Sequence, residues 1–138
     1  MGQPMTTEEV ANALVSLCRQ GNEKEAVERY YHPDIVSVEA SAMPGISHEI
    51  KGLDGVKTKH AGWAASFEMH GGNLEGPFVN GDQFTIYNTI DCTHKASGQR
   101  MAMSELTVYT VRDGKIVRRG ILRQTGSGAD FEIRRHVN

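Results

Sequence analysis

Three turn signals in the second half of the chain constrain its fold more than any other feature. Asn80-Gly81 separates Val79 from Asp82-Gln83-Phe84. Lys95-Ala96-Ser97-Gly98 separates the next run from Gln99-Arg100-Met101, and Asp113-Gly114 separates Thr110-Val111 from Lys115-Ile116-Val117. Asn-Gly and Asp-Gly tolerate the positive φ angles of tight hairpin turns, so the four runs read as an antiparallel meander. The first half reads as helices. The expected class is therefore α+β: three N-terminal helices packed on a curved, mainly antiparallel sheet. A sheet wrapped around helices leaves a pocket between the layers, and function belongs there.

The helical half has its own punctuation. Thr6-Thr7-Glu8-Glu9 is a capping box, followed by one apolar stripe of Val10, Leu14, Leu17 and Cys18; Gly21-Asn22 ends that helix. A second helix is expected from about Glu23 to Tyr31, with Ala26, Val27, Tyr30 and Tyr31 inward and Pro33 as its stop. Ile35 to Glu39 is a strand by β-branched content. Residues 41–47, with Pro44 and Gly45, read as a loop, and Leu53 to Phe67 as a third helix with Leu53, Val56, His60, Trp63 and Phe67 on one face. Past Gln124 the alternation fails at Thr125-Gly126-Ser127-Gly128. The expected division is a leader over 1–5, one domain over 6–124 and a flexible tail over 125–138.

Composition matters for what it excludes. A chain of 138 residues is one domain, and a net charge of −2 is no footprint for nucleic acid. Arg118, Arg119, Arg123, Arg134 and Arg135 read as a solvated strand edge and tail. Cys18 and Cys92 match no metal spacing and follow no secretory segment, so reduced, buried thiols in the cytoplasm are expected. No apolar run reaches the length of a membrane span. The six histidines form no credible cluster, and there is no phosphate loop, nucleotide fingerprint or nucleophile motif. No metal and no cofactor are expected.

Local signatures sit on this order of elements. Tyr31-His32-Pro33-Asp34 precedes the first strand, Gly52-Leu53-Asp54-Gly55-Val56 opens the third helix, and Val111-Arg112-Asp113-Gly114-Lys115-Ile116 forms the last hairpin. Over about residues 6–124 the chain resembles the nuclear transport factor 2-like superfamily, in particular its SnoaL-like and ketosteroid-isomerase-like branches. The resemblance implies a cone-shaped α+β barrel and a homodimer through the outer face of the sheet. It also implies a range of functions, from isomerases, cyclases and dehydratases to transport factors and pure binding proteins.

Two carboxylates are candidates for catalysis. Alternation puts Ile35, Ser37 and Glu39 on one face, and the resemblance lays the isomerase general base on Glu39. Glu105 interrupts the uncharged run Met101 to Tyr109. One parity turns it inward with Met101, Met103, Thr107 and Tyr109; the other turns Leu106 and Val108 inward. The resemblance favours Glu105 inward, although the isomerases' second acid falls nearer Thr107 and their helix-one tyrosine near Leu14. Asn88 shares a face with Phe84, Ile86, Ile90 and Cys92 and must find a partner in a ligand or in Glu105; Asp91 has the opposite parity. Tyr30, Trp63, Phe67, Asn88, Met101, Met103 and Tyr109 are the expected substrate contacts. The expected function is an isomerase, cyclase or dehydratase acting on a small apolar carbonyl compound by general acid/base catalysis, with Glu39 and Glu105 sharing one low-dielectric site. The alternative is a binding module for a hydrophobic metabolite, without turnover.

Overall fold

A computed structural model describes residues 2–39 and 48–126. Helix α1 (Thr7–Arg19) begins at the expected cap: the Glu9 amide donates to Thr6 Oγ1 at 3.1 Å, and the Thr6 amide donates to Glu9 Oε1 at 2.9 Å. Helix α2 (Glu23–Tyr30) follows, and strand β1 (Tyr31–Val38) starts at once. Pro33 therefore lies inside the strand rather than at a helix stop. The pairing of β1 shifts register between Tyr31 and Val36, so the proline's missing N–H removes no regular ladder bond. A short strand that the sequence reading lacks, β2 (Glu49–Lys51), pairs antiparallel with β1. Helix α3 (Leu53–Ser66) leads into β3 (Phe67–Asn80), β4 (Gln83–His94), β5 (Gln99–Arg112) and β6 (Lys115–Gly126).

All three turn signals are hairpins. Gly81, Gly98 and Gly114 have φ of 63°, 70° and 78°, and Asp113 is also left-handed at 51°. The sheet order is β2-β1-β6-β5-β4-β3. It is antiparallel except where β1 lies parallel to β6, which returns the end of the meander to the strand that follows the helices. The sheet curves over the helices without closing. Thr125 and Gly126, expected in a flexible break, continue β6 opposite Met103 and Ala102. The loop expected at 41–47 and the tail from 127 onward lie outside the described residues.

The core sits between layers, as period-two and helical patterning require. Val10, Leu14 and Val15 from α1, Ile35 from β1, Val56 from α3, Phe84 and Ile86 from β4, and Ile116 from β6 are almost fully enclosed. At roughly 25 cal/mol per Å2 of apolar surface, each such side chain contributes about 1.5–3 kcal/mol. Among the described residues, no helix is long and apolar enough to cross a membrane.

Candidate functional site

A cavity of about 640 Å3 lies between the helices and the sheet, lined in part by the core residues Leu14 and Ile86. Its apolar wall comes from Leu14, Trp63, Phe67, Ile86, Ile90 and Tyr109. Trp63 stacks on Phe67 at 4.8 Å, and Tyr109 on Phe84 at 4.7 Å, which holds the wall rigid. Its polar wall is unusually charged for a small-molecule pocket. Glu23, Glu39 and Glu105 meet Arg19, Lys59, Arg119 and Arg123.

Strand parity delivers these groups. Ile35, Ser37 and Glu39 are buried on one face of the β1 segment. On β5, Met103, Glu105, Thr107 and Tyr109 are buried while Leu106 is exposed. Register then sets Asn88 opposite Glu105, Glu105 opposite Arg123, Tyr109 opposite Arg119, and Arg119 beside Ser37. Lys59 and His60 descend from α3.

Each of the two carboxylates has its own cation. Lys59 Nζ is ion-paired with Glu39 Oε1, and Arg123 donates to Glu105 Oε2 at 3.1 Å. The partner of Glu105 is thus Arg123 rather than Asn88. Glu39 Oε2 is buried with no hydrogen-bond partner among the described residues, as are Ser37 Oγ and Arg119 Nε.

His60 is neutral here. Burial first, then the Arg119 guanidinium, push its imidazole down to about 4 against the pull of Glu39. Its Nε2 lies 3.0 Å from an Arg119 terminal nitrogen. Arginine can only donate, so Nε2 accepts and the ring proton sits on Nδ1. The Tyr31 and Tyr109 hydroxyls are hydrogen-bonded to each other, and burial pushes both phenols up. Cys18 also lines the cavity, but burial, reinforced by Glu23, pushes its thiol up to about 12, so it is no nucleophile at neutral pH. Among the described residues no three metal-ligating side chains converge.

Comparison with known proteins decides the family. The family model for the SnoaL-like domain matches residues 5–122. The chain belongs to the SnoaL-like family. A crystal structure of a candidate SnoaL-like polyketide cyclase from Mesorhizobium loti is 39% identical, covers 85% of this chain and 98% of its own, and superposes with a TM-score of 0.80. IdmH, a candidate polyketide cyclase from Streptomyces antibioticus, shares the fold at 18% identity (87% of this chain, 93% of its own, TM-score 0.67). So does a candidate isomerase from Bacillus subtilis at 17% (87% and 90%, TM-score 0.72). No curated protein matches the sequence.

In this SnoaL-like protein Glu39, Glu105, Trp63, Phe67, Asn88 and Tyr109 line the cavity. Tyr30, Met101 and Met103, expected on its walls, fall outside the lining. Tyr30 instead packs against the core, and Met103 is buried within the sheet. Asp91 faces away and binds Arg100 at 2.7 Å and 3.0 Å. Arg119 and Arg123 were the residues misjudged: the strand edge read as solvated turns both into the cavity. The signal was present in the alternation of β6, where Arg119 and Arg123 flank inward Ile121 while Arg118 takes the opposite face.

Proposed function

We propose that the chain is a cofactor-independent enzyme of the isomerase, cyclase or dehydratase type, acting on a small, largely apolar carbonyl compound as a cytoplasmic homodimer. The observation that carries this reading is Glu39. One of its oxygens is held by Lys59, and the other is buried beside the cavity with no hydrogen-bond partner among the described residues. That oxygen is the general base, taking a proton from carbon next to the substrate carbonyl. Across the sheet Glu105 holds Arg123 in place through one N–H. The remaining donors of Arg123, with the Asn88 amide, receive the negative charge that develops on the carbonyl oxygen. Glu105 thus acts by fixing the oxyanion's donor rather than by giving up a proton. Trp63, Phe67 and Tyr109 hold the apolar body.

A binding module without turnover is the second reading, favoured by the cation on each carboxylate. Deuterium incorporation next to the carbonyl of 2-tetralone, followed by NMR in heavy water, separates the two. The enzyme reading expects incorporation above buffer rate, with Glu39→Gln lowering it by about 10²–10⁴-fold while the change in Trp63 fluorescence on binding persists. Incorporation at buffer rate despite binding would leave the binding module standing.

A further inference from the structure

Among the described residues, Arg119 is the one cavity cation with no carboxylate hydrogen-bonded or ion-paired to it. Lys59 and Arg123 each hold a carboxylate, and Arg19 is spent on the Leu74 and Gly76 carbonyl oxygens at 3.1 and 3.4 Å. Arg119 is hydrogen-bonded to neutral His60, lies close to the Tyr31 and Tyr109 phenols, and its Nε–H is buried with no acceptor among the described residues. Glu39 and Glu105 act on it electrostatically, but both are committed to other cations. A guanidinium in this position is costly to the fold unless something negative completes it. The neighbouring groups fit a site of that kind. His60 accepts one N–H and so fixes the plane of the guanidinium. Ser37, the register neighbour of Arg119 on β1, has a buried hydroxyl that is also without a partner. Glu39 stands two residues further along the same face of that strand.

We propose that Arg119 anchors a carboxylate on the ligand of this cavity, so that the substrate is an apolar-bodied carbonyl compound that also carries a carboxylate. The assignment rests on the cavity being the ligand site, as in the function proposed above, and adds the chemical class. A guanidinium fork binds a carboxylate through two parallel N–H···O bonds, and the Arg119 Nε–H is free to be one of them. Seated there, the acid lies along Trp63 and Phe67 with its far atoms beside Glu39, so the anchor sets which carbon meets the base. The same arrangement weakens the binding of neutral analogues without excluding them, because these leave the guanidinium buried and unanswered.

The test compares 2-naphthoate with its neutral isostere 2-naphthamide, using the fluorescence of Trp63, the single tryptophan of the chain. The intact protein is expected to bind the acid at least about tenfold more tightly than the amide, the scale of one charge-assisted contact. Arg119→Gln should erase that preference by weakening the acid alone, leaving amide affinity unchanged. Arg119→Lys, a second variant that keeps the charge without the fork, should retain only part of it. Arg118→Gln, on the opposite face of β6, should change nothing. Equal affinities in the intact protein, or a preference that survives Arg119→Gln, would overturn the anchor while leaving the cavity as the ligand site. Failure of both probes to perturb Trp63 would overturn the cavity reading and the anchor together.

Discussion

His60 shows how strongly one position in this cavity is set by its surroundings. An imidazole in the unfolded chain takes up a proton near pH 6.5, whereas in the folded protein burial and Arg119 delay this to about 4. Between those values the unfolded state binds more protons, so stability must fall as pH falls. The contribution is fully present above about 6.5 and fully lost below about 4. His60→Asn should therefore flatten this part of the curve: between pH 7 and 5 the wild type should lose more of its urea midpoint than the variant does. Parallel losses would mean that His60 is not held neutral. The same surroundings explain why sequence reading undervalued the residue. A lone histidine on a helix face carries no signal of the arginine that reaches it from a strand 59 positions away.

At the scale of elements, the long meander is both the cavity wall and the source of its precision. Gly72 on β3 lies close against β4: a Cβ there would lie 2.5 Å from the Thr89 carbonyl oxygen. Backbone cannot give way as a side chain can, so Gly72→Ala should push β3 from β4 at a cost of roughly 1–3 kcal/mol. Gly72 and Thr89 both line the cavity, so probe affinity should fall with the melting temperature. An alanine variant as stable as the parent would show that the strands are not so closely apposed. Helix α1 offers a milder check. Thr6→Ala removes the side chain that accepts from the Glu9 amide and should cost about 1 kcal/mol in denaturant unfolding, with probe binding unaltered.

For the molecule as a whole, the outer face of the sheet matters most. Phe78 is 58% exposed, Leu106 37% and Leu122 67%, and Leu106 and Leu122 are direct cross-strand partners beside Tyr87. An apolar row on the convex side of a sheet whose concave side is already covered by helices favours association with a second copy. The homodimer proposed above should sediment as such at micromolar concentration. The double substitution Leu106→Glu and Leu122→Glu should convert it to a folded monomer by placing like charges across the interface. A wild-type monomer under the same conditions would refute the dimer.

Local chemistry in the sequence was enough for the fold. The positive-φ preference of Gly81, Gly98 and Gly114, the Thr6–Glu9 capping box and the alternation from Ile35 to Glu39 each act over a few residues, and together they specify helices first and a meander after. The inward parity of Glu105 needed the family resemblance as well, because one strand alone does not say which face is covered. Tertiary structure decided the rest through pairings between distant residues. It set β1 parallel to β6 and so brought Arg119 beside Ser37. It turned Arg123 onto Glu105 and brought Lys59 to Glu39. It also left Met101, Met103 and Tyr30 outside the cavity they had been expected to line. The sequence determines which side of each strand a residue takes, because a strand's period is local. Which charge then meets which depends on register and on how far the sheet curves, and both are set only when the whole sheet packs over the helices.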